Sequence, residues 1–309
     1  MTRFDHVTIV GAGAMGCLFG ARLAEAGIGV TLVDADPERL ASIRTNGVTL
    51  EDDSGRRGIE LDARAAGEAG PTDLVMLFTK GMHSEAAIRS VAHLAGASPH
   101  AITLQNGLGN AEIIAGVFPP DRILIGATDF PADFSPPATV SSHGKGHIWL
   151  GPFGSASPAA ALAAAEMFNR AGMAATYDAD VAIAIWEKVA FNAALNSLAA
   201  ITRLRVGGLD TQAGRAIAFA VVDETIATAA AQGLALDASR IRGKIEYVLV
   251  HHRGHKASML QDLEAGRRTE IESINGAVVR AAQAAGVATP VTAALANLLR
   301  LIEQPGNQA

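Results

Sequence analysis

Near its start the chain places Gly11-Ala12-Gly13-Ala14-Met15-Gly16 between a short apolar run and a helical stretch. Glycines at this spacing recur in turns that bind nothing, so the surrounding pattern decides their meaning. His6–Val10 reads as a strand, the glycines open a helix to about Ala26, Val30–Val33 reads as a second strand, and Asp34 ends it. Strand, glycines, helix, strand and acid in that order form the dinucleotide-binding fingerprint. Gly11 permits the tight turn, Gly13 lets the backbone approach a pyrophosphate, and Gly16 lets helix and strand pack closely. Ala12, Ala14 and Met15 complete the loop. The opening N–H groups and the partial positive charge of the helix start suit the pyrophosphate.

The same alternation continues. Asp36 is a good N-cap for a helix beginning at Pro37. Asp73–Thr79 (DLVMLFT) and Ala101–Gln105 read as continuous apolar strands, the kind buried in parallel sheets. Ile123–Gly126, Thr139–Ser142 and His147–Leu150 are more closely spaced and read as strands added at one edge, in antiparallel fashion. From about Asp178 the pattern is helical, with Gly207-Gly208, Gly233, Gly254 and Gly286 as stops or kinks, and the tail after Gln304 reads as frayed. The expected fold is α/β: a Rossmann dinucleotide-binding domain over residues 1–177, then an all-helical substrate and catalytic domain over 178–309.

The helical half opens with Val181–Ile201, VAIAIWEKVAFNAALNSLAAI, apolar on almost every side. A helix of that kind is buried. Lys188, Asn192 and Asn196 are set into it at i, i+4, i+8, so they share one face. A buried polar group without a partner costs roughly 1–3 kcal/mol, and an unpaired charge costs more. Such a stripe is the lining of a polar cavity; a solvated stripe is the ordinary alternative. Trp186 and Phe191 beside it read as core.

The chain has 309 residues, 49% of them hydrophobic, and a net charge of −6 with no long basic run. Nucleic acid is an unsuitable partner for that surface. Cys17 is the single cysteine, so no disulfide can close within the chain. The residues MTRFDHVTIVGAG do not form a signal peptide, and no apolar segment reaches membrane-spanning length. These features lead to the expectation of a soluble cytoplasmic protein with no membrane partner; a homodimer is one assembly open to it. His251, His252 and His255 do not complete a metal set at a recognised spacing, so no metal is expected. Cys17 reads as a packed apolar side chain.

Six segments, GAGAMG, LFTK, QNGLG, WEKVAFNAALN, SMLQD and RRTEIESINGAV, together resemble the ketopantoate reductase (2-dehydropantoate 2-reductase) family over nearly the whole chain. The resemblance implies a 2-oxo acid held between a Rossmann domain and a helical domain, reduced by hydride from a nicotinamide cofactor. It implies Lys188 as general acid and Glu270, in RTEI, at the reacting oxygen or a substrate hydroxyl. Asn192 and Asn196 would fix the substrate's polar groups, Ser258 its carboxylate, and Asn106 would hold nicotinamide and substrate together. On residues alone, Asn106 is equally a turn residue before Gly107, and Glu270, followed by Ile271, Ile274 and Val278, begins a helix as a partner to its dipole.

The cofactor, NAD(P)H, is read two ways. The family resemblance favours NADPH, with Lys80 in LFTK supporting a 2′-phosphate. Asp34 favours NADH, because a carboxylate accepts ribose hydroxyls and repels a phosphate by ~4 kcal/mol at ~4 Å and an effective dielectric of ~20. Lys80 or Arg39 would offset that if either reached the phosphate. Reduction of ketopantoate to D-pantoate is accordingly the first expectation, an NAD-dependent D-2-hydroxy-acid dehydrogenase the second, and a non-catalytic nicotinamide-binding redox sensor the third. A sensor has no need of the Lys188, Asn192, Asn196, Ser258, Glu270 set.

Overall fold

The structure, a computed structural model, describes residues 2–304. The frayed tail expected after Gln304 lies outside the described residues. Packing divides the chain into two compact units. One holds the chain up to Gln105 together with Asn110–Val181; the other holds Asn106–Gly109 together with the chain from Ala182 on.

The first unit carries twelve strands among the described residues: β1 His6–Val10, β2 Gly29–Val33, β3 Val48–Asp52, β4 Gly55–Ile59, β5 Asp62–Arg64, β6 Leu74–Leu77, β7 His100–Thr103, β8 Ile123–Thr128, β9 Asp133–Ser135, β10 Thr139–Ser142, β11 Ile148–Pro152 and β12 Ala175–Tyr177. Five helices accompany them: α1 Ala14–Glu25, α2 Pro37–Asn46, α3 Ser84–Ser90, α4 Asn110–Ala115 and α5 Pro158–Arg170. The main sheet runs β12-β11-β8-β7-β6-β1-β2-β5. From β5 to β8 every pairing is parallel. Numbered along the chain, those six strands follow the doubly wound order 3-2-1-4-5-6. Val10 lies beside Val33 and Leu77 in register, so the carboxyl ends of β1, β2 and β6 finish level with the glycine loop.

Alternate residues feed two cores, one on each face of the sheet. Ile9, Leu74 and Met76 pack with α1 and α5 residues such as Phe19 and Phe168. Val10, Val75 and Leu77 pack with Ile88 and Ile114 of α3 and α4. A sheet covered on both faces explains why its strands read as unbroken apolar runs.

Two sequence readings of this unit are corrected. Ile123–Gly126 is not an added edge strand but the start of β8, the sixth parallel strand, and only β11 pairs with it antiparallel. Gly126 permits that pairing, since a Cβ there would sit 2.4 Å from the Trp149 carbonyl oxygen. Thr139–Ser142 leaves the main sheet altogether. It joins a second sheet, β4-β3-β10-β9, pairing parallel with β3. The β3–β4 hairpin that it joins turns at Asp53-Ser54. Its ends are clamped by Arg57, which donates to both Asp52 oxygens at 2.9 and 3.0 Å, while Arg22 pairs with the same carboxylate at 2.7 Å.

The second unit is helical: α6 Val181–Thr202, α7 Gln212–Ala230, α8 Ala238–His251, α9 Ser258–Glu264, α10 Asn275–Ala285 and α11 Pro290–Ile302. Its core gathers around α6, where Ala193, Ala194, Leu195 and Leu198 meet Val221 and Val222 of α7, Ile245 of α8 and Leu299 of α11. Alanines on α6 let the neighbouring helices approach closely. A third correction falls here. Glu270 does not begin a helix; it precedes a turn over Ile271–Ile274, and α10 starts at Asn275. Ile274 at φ −106°, ψ −91° is outside helical geometry, and the Gly276 N–H returns to the Ile271 carbonyl.

Candidate active site

The first unit builds the glycine loop as the fingerprint requires. Gly11 has φ +107°, and a Cβ on it would meet the Thr79 nitrogen at 2.8 Å. A Cβ on Gly16 would lie 1.8 Å from the Gly11 carbonyl oxygen, so helix and loop touch through backbone. Gly13 differs: nothing lies within 4 Å of the position a Cβ would take. It also caps α1 without a side chain. The loop therefore keeps open space beside a helix start that no side chain of its cap occupies, which fits a dinucleotide pyrophosphate. Ala14 and Met15 form the first turn of α1.

Asp34 stands at the end of β2 with its side chain 11% exposed. Oδ2 accepts the Ala12 N–H at 2.7 Å, tying β2 to the glycine loop. Oδ1 accepts the Asp36 N–H at 2.9 Å and Arg39 Nη1 at 3.0 Å. Arg39 thus reaches Asp34 itself. Lys80 opens a short turn after β6 and is half-buried. Gln105, the first residue of QNGLG, is a polar residue that the sequence motifs leave without a role. Its amide donates to the Thr79 carbonyl and to Ser84 Oγ, and its Oε1 accepts from Thr103 Oγ1 at 2.9 Å. Ser84 in turn donates to Asn110 at 3.3 Å. This network fixes the carboxyl ends of β6 and β7 beside the loop. Its signal was a polar Thr103 and Gln105 closing an otherwise apolar strand.

The second unit holds the remaining candidates. Lys188 is half-buried on α6, with Asn192 and Asn196 buried on the next two turns at 9% and 7% exposure. Asn196 Nδ2 donates to Ser258 Oγ at 3.2 Å, joining α6 to the start of α9. Asn106 Nδ2 lies 3.5 Å from Glu270 Oε2. The segment Asn106–Gly109 is held there by backbone: the Leu108 N–H donates to the Ser273 carbonyl at 2.9 Å. Gly107, at φ +91°, has no room for a Cβ, which would lie 2.1 Å from that same oxygen. The structure therefore brings Asn106 to Glu270 and Asn196 to Ser258, and sets Lys188, Asn192 and Asn196 along one helix face. Asn275 was missed. Fully buried, it donates to the Ala193 carbonyl at 3.0 Å and to Ser197 Oγ at 3.3 Å, pinning the Glu270 turn to α6.

Cys17 is fully buried; burial pushes its thiol up to about 12, and Sγ donates to the Ala12 carbonyl at 3.2 Å. Trp186 is buried against Val189, Ala229 and Val278, and Phe191 packs on the helical core under Lys244. Tyr247 stacks on His251, its ring centre 4.5 Å from the imidazole's. Among the described residues no group of three or more His, Cys, Asp or Glu side chains is placed to hold a metal ion, and no helix is long and apolar enough to cross a membrane.

Residues 7–155 match the family model described as ketopantoate reductase PanE/ApbA, and residues 180–303 match the corresponding C-terminal model. A 2-dehydropantoate 2-reductase of Halobacterium salinarum is 32% identical over 307 residues, covering 97% of this chain and 100% of that protein. One from Archaeoglobus fulgidus is 33% identical over 303 residues, covering 97% and 99%. Among solved structures, a D-mandelate dehydrogenase with NADH and anilino(oxo)acetate superposes with TM-score 0.92 at 29% identity, covering 96% of this chain and 98% of that one. A 2-dehydropantoate 2-reductase of Geobacter metallireducens superposes with TM-score 0.88 at 31% identity, covering 96% and 99%.

Proposed function

The chain belongs to the ketopantoate reductase family and is a nicotinamide-dependent oxidoreductase acting on CH–OH groups; from that premise we propose that it interconverts a 2-oxo acid and its D-2-hydroxy acid, ketopantoate and D-pantoate first among them. The observation that carries this reading is the polar face of α6, where Lys188, Asn192 and Asn196 sit in succession and Asn196 is tied to Ser258.

The bound nicotinamide supplies or receives the hydride. The chain's residues do the rest. In the reducing direction negative charge builds on the substrate's 2-oxygen, and Lys188 delivers a proton to it as the hydride reaches carbon. Ser258 holds the substrate carboxylate, with its oxygen oriented by Asn196. Asn192 takes a second polar group. Glu270 accepts from the forming hydroxyl, and Asn106 keeps that carboxylate turned toward it. Arginine recognition of the carboxylate is not required, since a hydroxyl donating to a charged acceptor contributes about 1.5–3 kcal/mol.

Asp34 favours the NADH-linked reading, in which the chain works on other D-2-hydroxy acids. Among the described residues its Oδ2 accepts the Ala12 N–H alone, which leaves a lone pair for a ribose hydroxyl. The superposition on a D-mandelate dehydrogenase carrying NADH supports the same side. Following NADH and NADPH oxidation with ketopantoate and with a panel of aliphatic and aromatic 2-oxo acids tests both readings. Turnover of ketopantoate with kcat/KM well above the panel supports the first. No turnover of any 2-oxo acid with either cofactor overturns both.

A further inference from the structure

Two carboxylates, those of Asp34 and Asp36, hold Arg39. Nη1 donates to Asp34 Oδ1 at 3.0 Å, and Nη2 lies 3.5 Å from Asp36 Oδ2. The guanidinium carbon stands 5.4 Å from the centre of the Phe134 ring, which fixes one face of the fork. One cation against two anions leaves this corner at a net charge of −1. A 2′-phosphate would add nearly two more negative charges. To bind it, Arg39 would have to turn Nη2 away from the Asp36 carboxylate and toward the phosphate.

The two contacts are unequal. The Asp34 bond is short and its carboxylate largely covered, whereas Asp36 is 43% exposed and stands at ion-pair distance without a hydrogen bond from Arg39's side chain. Asp36 has a second duty: Oδ1 caps α2 by accepting the Glu38 and Arg39 N–H groups at 3.0 and 3.1 Å. Those bonds hold its carboxyl below the usual carboxylate range, so it is charged at neutral pH.

We propose that Asp36 is a specificity-determining residue for the dinucleotide: its carboxylate holds Arg39 Nη2 away from a 2′-phosphate, and so excludes NADPH together with Asp34. The proposal rests on the reading that Asp34 faces the adenosine ribose. Asp36 acts through Arg39 and does not touch the cofactor. Removing its charge while keeping the cap leaves Nη1 on Asp34 and turns Nη2 over to a phosphate.

The test is binding, measured calorimetrically with NADH, NADPH, adenosine 5′-monophosphate and adenosine 2′-monophosphate. Asp36→Ser keeps an N-cap acceptor. It should tighten NADPH and the 2′-monophosphate about two- to fivefold, the size expected of an exposed ion pair, and leave NADH within a factor of about two. Asp36→Asn should do the same with a different cap. The gain should vanish in Asp36→Ser/Arg39→Met, because it runs through the guanidinium. An unchanged NADPH affinity in both single variants, or a gain that survives in the double variant, overturns the proposal. Asp34→Asn separates it from the reading beneath: no change in the NADH-to-NADPH ratio there overturns both, while a shift there with none at Asp36 overturns the Asp36 assignment alone.

Discussion

Ser258→Ala removes one contact of the proposed substrate site. The side chain is exposed, so its loss opens no cavity. It does not cap its own helix: α9 begins at Ser258, and the preceding Ala257 offers no side-chain acceptor. What the hydroxyl does is accept from Asn196 Nδ2 at 3.2 Å, which leaves its proton to be donated to a carboxylate. A hydrogen bond to a charged group contributes about 1.5–3 kcal/mol. At about 1.36 kcal/mol per decade, KM for the 2-oxo acid should rise roughly ten- to a hundredfold. Folding should weaken by up to about 1–3 kcal/mol, the cost of leaving the buried Asn196 Nδ2 without its Ser258 acceptor. NADH affinity should hold, because the contact is to substrate alone. Asn196→Ala should raise KM too, and the double variant should fall short of the sum, since both remove one arrangement. Steady-state kinetics with a calorimetric NADH titration on all four proteins decides it. An unchanged KM in Ser258→Ala, additive effects in the double variant, or a large loss of NADH affinity would refute the assignment.

Lys188→Ala should lower kcat by roughly 10²–10⁴ with NADH affinity kept, and a variant with wild-type kcat would remove Lys188 from the proton transfer. Asp52 is held below its ordinary carboxylate value first by hydrogen bonds from Arg57, then by the Ser54 N–H and the charges of Arg22 and Arg57. A lowered folded value stabilises above the unfolded one and is lost as pH falls through it, so the first unit should weaken below about pH 4. In thermal melts across pH 2–7, Asp52→Asn should be less stable at neutral pH and flatter on the acid limb; a parallel offset at every pH would contradict this. With its thiol near 12, Cys17 carries a thiolate fraction of roughly 10⁻⁴ at pH 8, so iodoacetamide should label it only after unfolding, and stoichiometric labelling of native protein would count against its burial.

Local signals carried most of what could be read from the chain. The glycine loop, the Asp36 cap and the parallel strands each declare themselves within a few residues, because turn geometry, capping and burial act over that range. The second sheet did not, since Thr139–Ser142 finds its partner at Val48–Asp52 some ninety residues earlier, and strand register over such a distance leaves no local trace. Glu270 was misplaced for a related reason. Ile271, Ile274 and Val278 keep helical spacing, yet the turn before Asn275 is set by the Ser273 carbonyl receiving Leu108 from far along the chain. The stripe of Lys188, Asn192 and Asn196 was legible because spacing alone puts it on one face. Its supports, Asn275 and Ser258, lie on other elements, and only folding brings them to α6.

Asp34 shows why cofactor preference here is better altered around the acid than at it. The carboxylate that would read the ribose also receives the Ala12 N–H, so it is a strut of the glycine loop as well as a charge. Replacing it by arginine would reverse the charge but strip the acceptor from a half-buried N–H, and leaving such a group unpaired costs about 1–3 kcal/mol. That cost falls on the loop proposed to cradle the pyrophosphate of either dinucleotide, so both affinities would drop before any preference emerged. It would also set a second guanidinium against Arg39. Asp36 carries no such duty to the loop; its N–H donates to Asp34, and a backbone N–H survives any substitution except proline. The charge proposed to face the ribose is thus locked by the fold, and the adjustable one stands two residues on, at the helix cap.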